Sequence, residues 1–150
     1  MGLFLIWVSL FRGLWQQILI ARVGPKSYNA DGSVQDDYHS GSTCLHLDVT
    51  DALNIMLWAA SLEDDKIGYA VWDLFSPGDL PKLREFLWKI VGFKGLGDPI
   101  HSQTIYLTPK LLQLLFDNFG VRPYRVYQRP GEAVFIPAGY AHQVRRIYLQ

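Results

Sequence analysis

One cysteine, Cys44, stands among the chain's 150 residues. That excludes a disulfide framework and fits a reducing compartment. An excess of charge of either sign is also missing: lysine plus arginine number 14, and aspartate plus glutamate 14. No global field draws the chain to nucleic acid or to an anionic membrane, so any partner must be recognised locally. There is no internal repeat and no low-complexity tract. An uninterrupted apolar run of about 20 residues, the length a spanning helix needs, is lacking too. The nearest approach is MGLFLIWVSLF at the start, broken by Arg12 and Gly13. It lacks the basic residues that lead into the apolar stretch of a secretory signal. Residues 1–23 therefore read as an apolar helix or an irregular segment, with a signal or anchor as the minor alternative.

What the chain does have is core-forming material. Hydrophobic residues make up 49% and aromatics 14%, which excludes a disordered chain and suits a single domain of this length. Residues 22–42 are rich in Gly, Ser, Asp and Asn and read as loop with at most a short strand. Three β-like runs follow, TCLHLDV (43–49), LNIMLWAA (53–60) and YAVWDLF (69–75). The polar SLEDDKIG between the last two ends in a glycine, as a hairpin would. From Asp79, DLPKLREFLWKIVGF sets Leu83, Phe86, Leu87, Ile90 and Val91 on one helical stripe. Thr108 caps a second helix with Pro109 in its first position, and Gly120 stops it. YRVYQ, EAVFIP and HQVRRIYL then read as strands, with the turn RPGE between the first two. Strands, a helical insert and strands again predict a mainly antiparallel barrel or sandwich carrying helices. Trp58, Trp72, Phe75 and Trp88 are expected in its core.

The chemistry sits in STCLHLDVTD (42–51), where His46 and Asp48 are one residue apart. In an extended strand, residues two apart leave the same face, so an imidazole and a carboxylate emerge side by side. A buried carboxylate needs a cation, and no lysine or arginine lies nearby on the strand. The bland alternative is an exposed aspartate beside an ordinary histidine. Downstream, PGEAVFIPAGYAHQV contains Gly131, Pro137 and His142, the turn and return of a double-stranded β-helix with a histidine facing inward. Two histidines and one carboxylate can occupy one face of an octahedral ion and leave the other positions open. His39 reads as a solvated loop residue, His101 as a backbone hydrogen-bonding residue, and Cys44 as a small hydrophobe.

Four stretches in order, GPKSYNA (24–30), STCLHLDVTDALNIM (42–56), DPIHSQTIYLT (98–108) and GEAVFIPAGYAHQV (131–144), carry a resemblance to the JmjC-domain proteins, and among them to the hairless-type histone H3 lysine demethylases. LREFL (83–87) is similar to the helix inserted between the metal-binding segments. The resemblance implies a jelly-roll, cupin-like JmjC barrel over residues 24–150, incomplete at its C-terminal end. It also implies Fe(II) as metal, 2-oxoglutarate as co-substrate, and N-methyl hydroxylation of a lysine in a histone H3 tail or another protein peptide. By motif, His46, Asp48 and His142 would be the catalytic metal ligands, with Thr43 and Asn54 binding the co-substrate. Nuclear localisation and a role on chromatin through other factors come with the resemblance. Direct nucleic-acid binding and membrane association are not expected.

The sequence also departs from that family. YAVWDLF carries no lysine for the far carboxylate of 2-oxoglutarate, and Lys66 sits in a loop. Strand alternation turns one of Arg145 and Arg146 inward. SLEDDKIG is short where relatives build a substrate groove, one cysteine cannot make the family's zinc segment, and the closing strand of the barrel is expected to be missing. A catalytically inactive JmjC-like scaffold and a JmjC protein hydroxylase therefore stand beside the demethylase reading, ahead of a generic cupin.

Overall fold

A computed structural model of the chain describes residues 2–10, 25–31, 42–60 and 67–147. Eight strands appear among them: β1 (Gly2–Leu10), β2 (Pro25–Asp31), β3 (Ser42–Leu47), β4 (Asp51–Trp58), β5 (Tyr69–Phe75), β6 (Tyr124–Gln128), β7 (Ala133–Ile136) and β8 (Ala141–Ile147). They form two four-stranded sheets, ordered β2-β1-β4-β7 and β3-β8-β5-β6, and every pairing is antiparallel. This is the mainly β, jelly-roll architecture the sequence implies.

Period-two alternation places one core between the sheets. Ala52 and Met56 of β4, Ala70, Trp72 and Leu74 of β5, Val134 and Ile136 of β7, and Val144 of β8 pack together there. A second core covers the outer side of the sheet that contains β8. There Leu45, Phe75 and Ala141 meet Leu80, Leu83, Phe86, Leu87, Ile100, Leu107 and Leu115 of the helical insert. The sheet holding β3 and β8 is thus clamped on both faces, which fixes the strands that carry the two histidines.

The insert contains α1 (Leu80–Phe86) and α2 (Pro109–Phe119). Thr108 caps α2 by accepting from Leu111 N, and Gly120 ends it in the left-handed region at φ 67°. α1 does not continue as one regular helix: a π turn runs over Leu87–Val91 and closes at Gly92. The wider turn shifts the phase of the stripe. Leu83, Phe86 and Leu87 stay buried, whereas Ile90 is 45% exposed.

Several expectations are corrected. Gly2–Leu10 is a strand between β2 and β4 rather than a helix or irregular segment. A run apolar at nearly every position has no periodicity to separate the two, and its ladder bonds to two neighbours decide for the strand. It also supplies the first sheet with a strand absent from the sequence reading. β4 and β5 lie in different sheets, so they make no hairpin ladder. Trp72 and Phe75 are core, but Trp58 and Trp88 are exposed. His39, Lys66 and residues 61–66 lie outside the described residues. No helix among the described residues is long and apolar enough to cross a membrane.

Candidate metal centre

β3 and β8 pair antiparallel, with His46 directly opposite His142 and Thr43 directly opposite Val144. Three positions separate the pair on β3 and two separate it on β8, so β3 holds an extra residue. The bulge brings Thr43 onto the face shared by His46, His142 and Val144. A regular strand would have turned Thr43 away. Because Val144 belongs to the core between the sheets, that face is the inner one.

Asp48 follows directly after β3. The turn that leads into β8 is tied back to this segment: Gly139 N donates to Asp48 O at 3.5 Å, and Ala138 N donates to Asp51 Oδ1 at 2.7 Å. These bonds bring the histidine of the returning strand to the carboxylate of the outgoing one. Donor atoms of His46, Asp48 and His142 all lie within 4.8 Å of one another, and His142 Nε2 is 3.8 Å from Asp48 Oδ2. The Asp48 side chain is 33% exposed while that of His142 is fully buried.

Both imidazoles are oriented by the same local device. His46 Nδ1 donates to Cys44 O at 2.8 Å, and His142 Nδ1 donates to Tyr140 O at 3.0 Å. A carbonyl only accepts, so each Nδ1 carries its proton, and it is Nε2 of each ring whose lone pair is left for a metal. Burial, reinforced by the neighbouring His46, pushes the His142 pKa down to about 3 against the opposing bond to Tyr140 O. His142 is therefore neutral at physiological pH, which is the ligating form. Burial also raises the Cys44 thiol, which stays protonated and unreactive.

The lining around this face is polar at a few points only. Trp72 lies 6.1 Å from His142 between ring centroids, with the planes inclined at 30°. Its Nε1 donates to Gln128 Oε1 at 2.8 Å, and Gln128 Nε2 donates to Asn54 O at 3.0 Å and Asn54 Oδ1 at 3.3 Å. Gln128 thereby cross-links the two sheets. On the β3–β8 side, Arg146 Nη2 donates to Thr43 Oγ1 at 3.3 Å. On the opposite face of β8, Gln143 bonds Leu107 N and O and donates to Asp73 Oδ2, which also receives Arg125.

Of the residues singled out in the sequence, His46, Asp48 and His142 converge and Thr43 shares their face. Asn54 is 2% exposed on the other sheet, connected to His142 through Gln128 and Trp72. His101 belongs to a turn capped by Asp98, whose Oδ1 accepts from Ile100 N and His101 N. Asp51, Gln128 and Gln143 were missed. Gln128 and Gln143 carry a signal, since each is a glutamine within an apolar strand pattern. Asp51 carries none, because its acceptor role depends on a turn far along the chain.

Comparison with known proteins now has a geometry to meet. The family model described as JmjC domain, hydroxylase matches residues 38–149. Lysine-specific demethylase 3A of Mus musculus is 34% identical over 161 aligned positions, covering 84% of this chain and 12% of that protein. Lysine-specific demethylase 3 of Drosophila melanogaster gives 34% over 84% of this chain and 19% of its own length. The human protein called probable JmjC domain-containing histone demethylation protein 2C gives 31% over 84% of this chain and 6% of its length. The chain thus spans under a fifth of each of these relatives. JmjC demethylases use iron(II) and 2-oxoglutarate, and two imidazoles with one carboxylate form a donor set that fits iron(II). The family match includes both strands that carry the histidines, and the chain belongs to the JmjC domain, hydroxylase, family.

Proposed function

We propose that this chain is an iron(II)- and 2-oxoglutarate-dependent dioxygenase that removes methyl groups from lysine in a histone H3 tail, or in another protein peptide, in the nucleus. The observation that carries this reading is the convergence of His46, Asp48 and His142 within 4.8 Å. The relatives' names, with lysine demethylation in them, support the substrate class. In this reading the three side chains are the metal ligands, and Thr43 and Asn54 bind the co-substrate. Residues 24–150, together with β1 inserted between β2 and β4, form the domain that carries them.

When bound, iron(II) supplies oxygen activation coupled to oxidation of 2-oxoglutarate to succinate and carbon dioxide, which places one oxygen atom on the N-methyl carbon. The chain's own residues supply position and exclusion. His46 and His142 present Nε2 lone pairs in fixed tautomers, because the carbonyls of Cys44 and Tyr140 hold the Nδ1 protons. Asp48 contributes the negative charge and the third donor. Thr43 offers a hydroxyl at one pleat's remove from the histidine pair. Trp72 and Val144 keep water from the inner face. The hydroxylated methyl breaks its C–N bond and leaves as formaldehyde, returning the lysine amine.

The test incubates the iron-loaded chain with 2-oxoglutarate, oxygen and methylated histone H3 lysine peptides. Formaldehyde and a peptide lighter by a methyl group, in step with succinate, support the reading. A peptide that gains oxygen and keeps its methyls makes the chain a protein hydroxylase. Metal binding without any turnover makes it a scaffold.

A further inference from the structure

Exposure is uneven across the three candidate ligands. His142 is fully buried, whereas His46 and Asp48 are half-buried, so the metal centre is reached from the side of β3. Among the described residues β3 is the outermost strand of its sheet, with β8 on its other side. The segment from Asp98 to Leu107 meets its free edge: Leu45 N donates to Ile105 O at 2.8 Å, one residue before the first histidine. This segment is therefore a rim of the open side.

The rim is fixed at both ends. Asp98 receives Arg84, its Oδ1 accepts from Ile100 N and His101 N, and its carbonyl accepts from Ser102 N at 3.1 Å. Ser102 Oγ donates to Pro99 O at 2.7 Å and shares a hydrogen bond with Thr104 Oγ1. At the far end Gln143 holds both backbone groups of Leu107. Ile100 and Leu107 are fully buried. Between these anchors Gln103 has φ 54° and is the only non-glycine residue with positive φ among the described residues. A long side chain is disfavoured there, and glycine or asparagine would fit at lower cost. Nor does the side chain stabilise the fold: Gln103 is exposed, and its amide has no hydrogen bond among the described residues. A left-handed residue enforced by its surroundings, carrying a polar group the fold does not use, marks a functional position when it borders a reactive centre.

We propose that Gln103 is a specificity-determining residue of this site, its amide hydrogen-bonding the main chain of the incoming peptide substrate. The inference rests on the reading of the chain as an enzyme of protein lysine and names the contact that holds the peptide. A carboxamide carries both a donor and an acceptor, the same pair that an extended main chain offers. Ser102 and Thr104 beside it are polar and uncharged, which suits a neutral backbone rather than a charged side chain. Two residues span at most roughly 7 Å, so Gln103 stays within that distance of Ile105 at the β3 edge. From a peptide lying there, the flexible four-carbon stem of a lysine extends inward to His46 and Asp48.

Fluorescence anisotropy tests it, with a labelled methylated histone H3 lysine peptide and the full chain loaded with manganese(II) and 2-oxoglutarate, so that no oxygen chemistry intervenes. Calorimetry measures manganese affinity in parallel, and thermal unfolding gives Tm. Q103A is expected to weaken peptide binding roughly 3- to 10-fold, the range of one hydrogen bond, with manganese affinity unchanged. Q103G is expected to weaken the peptide equally while raising Tm, because glycine relieves the left-handed backbone. A purely structural role predicts that Q103G binds peptide at least as well as the wild type. Unchanged peptide binding in Q103A or Q103G overturns the inference and leaves the metal centre standing. Lost peptide affinity that comes with a lower Tm in Q103G, or with weaker manganese binding in either variant, overturns it too. A wild type that binds manganese and no peptide overturns this inference and the peptide-substrate reading together. A wild type that binds no manganese overturns the metal-centre reading, and this inference with it.

Discussion

His46 and His142 stand directly opposite each other in the β3–β8 ladder, with ring centroids 4.1 Å apart and planes inclined at 55°. Each ring is held by the carbonyl two residues before it, so the pair repeats one local device on two antiparallel strands. Two imidazoles at this separation are a poor structural choice by themselves, since they place polar nitrogens on an inward face. As a pair of ligands they are well prepared.

The turn that returns His142 depends on Asp51. Its Oδ1 accepts from Ala138 N at 2.7 Å, four residues before the histidine. D51A is expected to lower stability by only about 1 kcal/mol and to weaken metal binding by roughly tenfold. Urea unfolding beside a metal titration separates the two effects.

Acid should destabilise the metal-free protein through His142. Its folded pKa lies near 3, below the ordinary histidine value of 6.5, so between those limits the unfolded chain binds a proton that the native state does not. Stability therefore falls as pH drops below about 6.5, by at most about 1.4 kcal/mol per pH unit from this one group. Above that value the group contributes no pH dependence. Urea midpoints in a chelator at pH 7, 6 and 5 measure the slope, and H142Q is expected to flatten it.

Gln128 is fully buried and serves Trp72, Asn54 and Glu132 at once. Q128L strands the indole N–H and removes a donor from Asn54 O and from Glu132 O, the latter still bonded by Met56 N, and is expected to cost about 1–3 kcal/mol. Denaturant unfolding reads the loss, and indole fluorescence reads the changed surroundings of Trp72.

Asp73 is 1% exposed and receives Arg125 through two bonds, Nε to Oδ1 at 2.8 Å and Nη2 to Oδ2 at 3.0 Å. The aspartate raises the Arg125 pKa through those bonds. R125M leaves a buried carboxylate with Gln143 as its remaining side-chain donor shown here, and is expected to destabilise by about 2–3 kcal/mol, less than for a fully buried pair. The double variant R125M/D73L should recover part of that loss, and a double-mutant cycle in urea measures it.

Local signals were legible where one residue's chemistry decides the backbone. Thr108, Pro109 and Gly120 bound α2 as written, and Gly131 marks its turn at φ 84°. The three candidate ligands were legible because His-x-Asp and a glycine–proline–histidine return each state a direction for their side chains. What the sequence hid depends on partners distant along the chain. Nothing in TCLHL announces the bulge that turns Thr43 inward, since it exists only against β8. Nothing in GLFLIWVSL separates strand from helix, since every face is apolar. Ile90 followed the stripe until the π turn changed its phase. Arg145 and Arg146 were equivalent by composition, and only the pairing of β8 with β3 and β5 distinguishes them.

The most direct measurement is an anaerobic iron(II) titration of the full chain with and without 2-oxoglutarate, followed by calorimetry and visible absorbance, beside H46A. The account predicts one iron(II) per chain, a visible band that needs both iron and 2-oxoglutarate, and the loss of both signals in H46A. Iron binding that survives in H46A unchanged, or no iron binding in the wild type, would contradict the claim that His46, Asp48 and His142 form a metal centre.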